Sequence, residues 1–172
     1  METELICAVA DNTIGPFNFI DLIYIIILLL LLFSSAAISG SEVAYFSLTP
    51  GQLEELRQKG YEKVCNLYKK PEKLLATILI SNNFVNVGIV ILSSYLVDSL
   101  FDFSFNPLLG FFIQVVVVTF VILLFGEIIP KLYANRSAMS MAIHMAAPLT
   151  FLGFLFRPIS ACLLYTSDAA DE

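Results

Sequence analysis

Polar side chains that could bind a cation lie at helical spacing inside long apolar stretches of the sequence. Ser35 and Ser39 are four residues apart and therefore share one face of a helix. Asn82 and Asn86, or Asn83 and Asn86, share a face in the same way, and the spacing does not decide between the two pairs. An amide without a hydrogen-bond partner in lipid costs several kcal/mol, so these side chains must face other helices or a cavity.

A single acid ends the last of these stretches, within the sequence FGEIIPK. Pro130 has no N–H to bond the carbonyl of Gly126, so we predict a helix break that leaves this carbonyl free beside the Glu127 side chain. Hydroxyl, amide and carboxylate oxygens suit a hard ion such as Mg²⁺ or Na⁺, and the lack of Cys and His at these positions argues against zinc or copper. Lys131 could pair with Glu42 or Glu127, or extend to the membrane interface.

A structural interpretation competes with the cation site. Serines and asparagines can simply hold helices together, and Ala36, Gly40 and Ala44 form a stripe of small residues typical of close helix packing in membranes. Packing explains any single serine adequately. For the asparagines and the acid taken together, we favour the cation site.

The composition is that of a membrane protein. The chain has 172 residues, of which 58% are hydrophobic and 14% charged, and its mean hydropathy is +0.85, outside the usual range of soluble domains. Three stretches without Asp, Glu, Lys or Arg reach the roughly 20 helical residues that cross a bilayer. We therefore predict an all-α membrane protein with juxtamembrane helices and three transmembrane helices, at about residues 21–41, 74–97 and 103–127.

A fourth apolar segment, residues 137–157, is weaker because His144, Pro148 and Gly153 interrupt it. We expect a juxtamembrane or re-entrant helix there.

The nine basic residues lie only at residues 57–73 and after the third predicted span, whereas the N-terminal arm contains acids but no base. By the positive-inside rule, three spans place the N-terminus outside and the C-terminus in the cytoplasm.

Between the first two spans, residues 49–71 are typical of a cytoplasmic helical hairpin at the membrane surface. Thr49 before Pro50 predicts an N-cap with proline at the first helical position, and Gly60 would separate two short helices. The basic residues of this hairpin could meet anionic lipid headgroups or form a solvated helix face, and the sequence leaves both open.

The final segment, residues 162–172, changes abruptly to small and acidic residues in the sequence CLLYTSDAADE. It is similar to the peptide translated from a common sequencing-library adaptor. We expect this segment to be non-native and the natural protein to continue.

The three cysteines have no CxxC spacing and fall in different compartments of the predicted topology. We therefore expect neither a disulfide nor a zinc framework.

The segments SSAAISGSEVAYFSL, LLATILISNNFVNVGIV and LFGEIIPKLYANR occur in this order along the chain. Together they resemble the transmembrane domain of the CNNM/CorC family, also called the domain-of-unknown-function-21 fold. The resemblance covers about residues 20–160 and implies that residues 21–161 form this domain, preceded by an extracytoplasmic arm at residues 1–20. Within the family, the acidic arm and the segment SGSEVAYFSLTP are most similar to the gliding-motility-associated GldE branch of Bacteroidota.

This resemblance implies a homodimer in the bacterial inner membrane that exports Mg²⁺, driven by inward Na⁺. Family sites hold a largely dehydrated Mg²⁺ between polar side chains of the first two spans and the Gly-Glu of the third. The matching positions are Ser35, Ser39, Asn82, Asn83, Asn86, Gly126 and Glu127 as ligands, with Gly40, Glu42, Pro130 and Lys131 as structural or gating residues. Of the ligands, we expect Glu127 and Asn83 to contribute most.

Two function classes follow. The leading one is a Mg²⁺ transporter module, and the alternative is a non-transporting membrane scaffold or sensor anchor, for example a gliding-motility component, whose polar cluster only packs helices. We expect no enzyme, since no Ser/His or paired-Asp arrangement occurs, and no nucleic-acid partner. Family members normally continue into a cytoplasmic CBS pair and often a corC-type domain, so we expect ATP-Mg²⁺ to act only through those parts of the full gene.

Overall fold

The computed structural model describes residues 18–101 and 106–157, and most of these residues are helical. The elements are α1 (Phe19–Phe46), α2 (Pro50–Gln58), α3 (Glu62–Tyr68), α4 (Pro71–Leu100), α5 (Pro107–Val121), a π-helical segment (Ile122–Ile128), α6 (Ile129–Arg136) and α7 (Ala138–Leu155). Most of the predicted N-terminal arm, the start of the predicted third span and the segment expected to be non-native lie outside the described residues.

Local sequence signals set where the helices begin. Pro50, Pro71 and Pro107 each occupy the first turn of a helix, where a missing N–H costs no helical hydrogen bond. The side chain of Thr49 accepts a hydrogen bond from the backbone N–H of Gln52 at 3.3 Å, which confirms the predicted N-cap. Gly60 has a φ of +81° between α2 and α3, so the predicted hairpin turn is also confirmed.

The predicted spans correspond to α1, α4 and one long helix that runs continuously from Pro107 to Arg136. These helices have 28, 30 and 30 residues and exceed the predicted spans, because each continues beyond its uncharged stretch. By length and composition α7, with 18 residues, is a fourth helix able to cross a membrane. At about 1.5 Å per residue it just approaches the roughly 30 Å of a hydrocarbon core. Its juxtamembrane or re-entrant placement and the orientation of the termini stay predictions.

A buried core joins the hairpin to the membrane helices. Leu56 of α2 and Val64 of α3 are buried together with Leu149 of α7. The Tyr45 hydroxyl, also buried, donates to the backbone carbonyl of Ala142 at 3.0 Å. These contacts fix α7 and the hairpin against the second half of α1, and so determine which face of α1 is turned towards α4.

The opposite faces of the long helices are apolar and open. Phe33 of α1 is 74% exposed, Phe84 of α4 is 69% exposed and Phe111 of α5 is 61% exposed. Soluble monomers rarely expose apolar patches this extensive. The arrangement is that of helices whose outer surfaces contact lipid, as the composition predicts.

Candidate metal site

Ser35 lies at the centre of a polar cluster shared by three long helices. It is fully buried on α1, and its hydroxyl lies 2.7 Å from Oδ1 of Asn86 and 3.2 Å from Oδ1 of Asn82, both on α4. A hydroxyl has one proton to donate and cannot serve both acceptors fully. The serine oxygen and the two amide oxygens therefore share a single proton. Some of their lone pairs are left without a hydrogen-bond donor beside the buried serine.

The two amides connect Ser35 to the acid of the third helix. Their NH₂ groups donate to Oε1 of Glu127, at 3.3 Å from Asn86 and 3.5 Å from Asn82. Both distances are at the long end for a hydrogen bond to a carboxylate. Within the described part of the chain, the other carboxylate oxygen of Glu127 accepts no hydrogen bond and no base forms an ion pair with it.

Gly126 allows this close approach of α1 to the third helix. A β-carbon at Gly126 would lie 3.0 Å from the hydroxyl oxygen of Ser35, closer than real contacts of this kind normally are. The glycine is itself buried. A side chain at this position would therefore displace the serine hydroxyl from the two amides.

The helix break predicted here is wrong in its form. The backbone stays helical to Arg136, but the seven residues Ile122–Ile128, which include Gly126 and Glu127, form a π-helix. In that wider turn the N–H of Ile129 donates to the carbonyl of Leu124, five residues earlier. Such widened turns occur frequently at functional sites. The interruption that Pro130 suggested is thus accommodated by widening the helix rather than by ending it.

Two further hydroxyls are buried without a partner. Ser39 and Ser81 are each 1% exposed, and their side-chain oxygens have no hydrogen-bond partner within the described residues. Most buried polar side-chain atoms are hydrogen-bonded, so each exception needs an explanation. Ser39 lies one helical turn from Ser35 and was predicted as a ligand. Ser81, next to Asn82, was not, and its only sequence signal is a hydroxyl inside an apolar span.

Asn83 does not join the cluster, contrary to the expectation that it and Glu127 would contribute most. Its side chain is exposed on the outer surface of α4, and the amides that reach Glu127 are those of Asn82 and Asn86. Both candidate pairs were compatible with helical spacing. The rotation of α4 selects between them, because Ile78 and Ile89 are buried on the side that faces the rest of the protein.

The predicted structural residues form a second contact, between α1 and α6. Lys131 pairs with Glu42 at 3.2 Å rather than with Glu127, so the charge of Glu127 is not neutralised by this lysine. A β-carbon at Gly40 would lie 2.7 Å from the methyl group of Met141 and 3.2 Å from the backbone oxygen of Pro130. Gly40 therefore permits close packing of α1 on the start of α6.

The donor set suits a hard cation held by few charges. It contains hydroxyl and amide oxygens and one carboxylate, as hard ions prefer. In the described ranges, no three His, Cys, Asp or Glu side chains come together in a way that could hold a metal ion. The arrangement thus differs from a zinc or copper site, and binding would depend on neutral oxygens around Glu127.

Fold and site together define a helical membrane protein with a polar cluster contributed by three of its long helices. Residues 25–170 match the family described as the Cyclin M transmembrane N-terminal domain, CNNM, and the chain belongs to this family. The resemblance of the sequence to the CNNM/CorC transmembrane domain is thereby confirmed, whereas its assignment to the GldE branch stays a prediction.

The chain is similar to several curated proteins. It is 35% identical over 128 residues to a UPF0053 protein of Haemophilus influenzae and 33% identical over 128 residues to the UPF0053 inner membrane protein YfjD of Escherichia coli. It is also 27% identical over 134 residues to the metal transporter cnnm-4 of Caenorhabditis elegans. Each alignment covers 73% of this chain but only 29%, 29% and 27% of the respective relative. The chain thus spans less than a third of the length of these relatives.

Proposed function

We propose that this chain forms the ion-binding membrane part of a transporter for a divalent cation, with Mg²⁺ as the ion exported and Na⁺ as the ion that enters. The observation that carries the proposal is the cluster of Ser35, Asn82, Asn86 and Glu127, in which too few protons are shared among oxygens that are buried or partly buried. A bound cation would satisfy these lone pairs. The name of the cnnm-4 relative, a metal transporter, supports the same class of function.

Mg²⁺ fits the chemistry of the donors, although one carboxylate gives only modest affinity. Mg²⁺ requires oxygen ligands in octahedral geometry and releases its waters reluctantly. Amide and hydroxyl oxygens can supplement the carboxylate, and the unpartnered hydroxyls of Ser39 and Ser81 offer two more. Weak binding suits a transporter, because the ion must also leave the site.

Access to the site would be controlled where α1 meets α6. The ion pair of Glu42 with Lys131 and the close contact at Gly40 hold the two helices together. The π-helical segment between α5 and α6 contains Glu127, so movement of α6 along α1 would move this ligand relative to Ser35. Alternating access then requires motion of a single helix segment against the remaining bundle.

Two neighbouring asparagines provide a matched test of the site. We expect Asn86→Ala to abolish Mg²⁺-dependent efflux from loaded vesicles that contain the reconstituted chain, because it removes an amide between Ser35 and Glu127. Asn83→Ala removes the same group from the exposed side of α4 and should leave efflux within about twofold of the original rate. A fluorescent Mg²⁺ indicator outside the vesicles measures both.

The reverse result, with efflux lost in Asn83→Ala and retained in Asn86→Ala, would contradict the placement of Asn86 in the site and of Asn83 outside it. Retained efflux in both variants would contradict the site altogether and favour the scaffold hypothesis.

We extend the proposal to a homodimer in a bacterial inner membrane. The membrane location is supported by the name of the Escherichia coli relative. Mass measurement of the chain in lipid nanodiscs tests the dimer.

A further inference from the structure

A cavity of about 340 Å³ lies away from the ion site, between the hairpin, the beginning of α4 and the end of α7. Its volume is in the range of pockets that bind small molecules. Four basic residues line it, namely Lys63 of α3, Lys70, Lys73 of α4 and Arg157, and among the residues that the structure describes no acidic side chain does. The concentration of one sign of charge around a single cavity favours an anionic occupant.

The two threonine hydroxyls that line the cavity are already used in hydrogen bonds within the protein. The hydroxyl of Thr77 donates to the carbonyl of Lys73 at 2.8 Å, and that of Thr150 donates to the carbonyl of Ala146 at 2.6 Å. Both threonines line the cavity, but their protons are used within their own helices. The lysine heads, together with the amide of Asn66, are therefore the principal donors available to an occupant, and lysine binds phosphate well.

The remaining wall is apolar. Leu74 and Leu149 are buried beneath the basic residues, whereas Phe154 is 75% exposed at the edge of the cavity. Gly153 contributes no side chain, and a β-carbon there would only reach ordinary contact distance from Thr77, at 3.6 Å. The cavity thus combines basic groups with an open apolar side, which matches a molecule that is charged at one end and hydrocarbon at the other.

The position in the fold indicates the source of such a molecule. The cavity lies where α4 begins at Pro71 and α7 ends at Leu155. Both are ends of helices that are long and apolar enough to cross a membrane, and lipid headgroups would surround the ends of such helices. We propose that this cavity binds one anionic phospholipid, whose phosphate contacts Lys63, Lys70 and Lys73 and whose acyl chain lies along Leu74 and Phe154.

The test measures binding of short-chain lipids to the purified 172-residue chain in a neutral detergent. Dioctanoyl phosphatidylglycerol is titrated, and the shift in thermal unfolding gives its Kd. In the variant Lys63→Gln/Lys70→Gln/Lys73→Gln, we expect affinity to fall on the order of a hundredfold, from about fivefold per basic residue. Loss of three like charges around one cavity should not lower the unfolding temperature without lipid, so the variant stays folded.

A matched control removes the same charge elsewhere on the hairpin. Arg57, Lys59 and Lys69 are exposed and do not line the cavity, and the variant Arg57→Gln/Lys59→Gln/Lys69→Gln should change affinity by less than about threefold. Equal loss in both triple variants would mean general attraction of lipid to a basic surface and would overturn the proposal.

Three further measurements distinguish the source and the place of binding. Dioctanoyl phosphatidylcholine should shift the unfolding temperature far less than phosphatidylglycerol, and an equal shift would overturn a role for charge. Glycerol 1-phosphate should have little effect, and saturation at the concentrations that suffice for the lipid would indicate a site for free phosphate instead. Gly153→Leu should fill the apolar side and weaken lipid binding at least tenfold with all basic residues present. Unchanged affinity in this folded variant would overturn the proposed location.

Discussion

Asp21 and Glu127 are two carboxylates on membrane helices with opposite surroundings. Asp21 is 2% exposed, and each of its oxygens accepts a short hydrogen bond, one from the backbone N–H of Asn18 at 2.8 Å and one from the hydroxyl of Ser99 at 2.6 Å. Glu127 is only partly buried and receives its two long hydrogen bonds on the same oxygen.

The difference separates an acid that holds the fold from one available to a ligand. Asp21 completes a capping box at the start of α1 and joins α1 to Ser99 near the end of α4, so its bonds are used for structure. Within the described residues, one oxygen of Glu127 has no hydrogen-bond partner, and the buried hydroxyls of Ser39 on α1 and Ser81 on α4 also lack partners. Saturation of a carboxylate means here that both of its oxygens accept hydrogen bonds. Incomplete saturation, rather than burial, is therefore the property that distinguishes the acid of the candidate site.

Removing the charge of Glu127 should have the largest effect on ion binding. Glu127→Gln keeps the shape of the side chain but removes the negative charge, and we expect Mg²⁺ affinity to fall at least about a hundredfold, since loss of partners outside a metal's direct ligands already costs roughly 10- to 100-fold. The measurement is the Mg²⁺-dependent increase in the unfolding temperature of the purified chain.

Without Mg²⁺, the Glu127→Gln variant should be as stable as the original chain or slightly more so, because an unpaired charge has been removed from a partly buried position. A Mg²⁺ response that survives this substitution would contradict the ion site. It would leave the polar cluster with a packing role, as in a membrane scaffold.

A β-carbon at Gly126 should have a smaller effect on the same measurement. Gly126→Ala places this atom 3.0 Å from the hydroxyl oxygen of Ser35, which must move by a few tenths of an ångström. Because site geometry must be held within about 0.5 Å, we expect Mg²⁺ affinity to fall roughly tenfold. Gly88→Ala is the control on α4, since its β-carbon would meet only Leu31, at an ordinary 3.6 Å. Equal effects of the two substitutions would show that helix packing, not the site, is being measured.

The sequence predicts much of the helical fold and part of the candidate site because helical period and hydropathy act locally. The positions of Thr49, Pro50 and Gly60 determine the hairpin without reference to the remaining chain. The four-residue spacing of Asn82 and Asn86 likewise places both amides on one face. What spacing cannot supply is the rotation of a helix about its own axis, because that depends on which side chains the neighbouring helices bury.

This limit explains where the structure departs from the sequence-based expectations. We expected Asn83 and Glu127 to contribute most, but Asn83 lies on the exposed side of α4, because burial of Ile78 and Ile89 selects the face that is turned inward. The π-helical segment depends on how the long helix accommodates Pro130 while Gly126 approaches Ser35, and that contact joins residues distant in sequence. The unpartnered hydroxyl of Ser81 is likewise a property of the packed bundle, so it could not be distinguished from an ordinary serine.

The smallest effect on ion binding is expected at Asp21. A substitution there tests most directly whether Asp21 and Glu127 have different roles. Asp21→Asn removes the negative charge and replaces one of the two accepting oxygens by an NH₂ group, so one of the two short hydrogen bonds is lost. We therefore expect the unfolding temperature to fall by roughly 5 °C. The affinity for Mg²⁺ should stay within about twofold, because sites without shared partners act independently. Ser99→Ala removes the other half of the same contact and should lower the unfolding temperature without adding fully to Asp21→Asn in the double variant. Asp21→Asn could instead weaken Mg²⁺ binding as much as Glu127→Gln is expected to do. Saturation of a carboxylate would then not distinguish structural from ligand-binding acids in this fold. The ion would have a second contact near the start of α1.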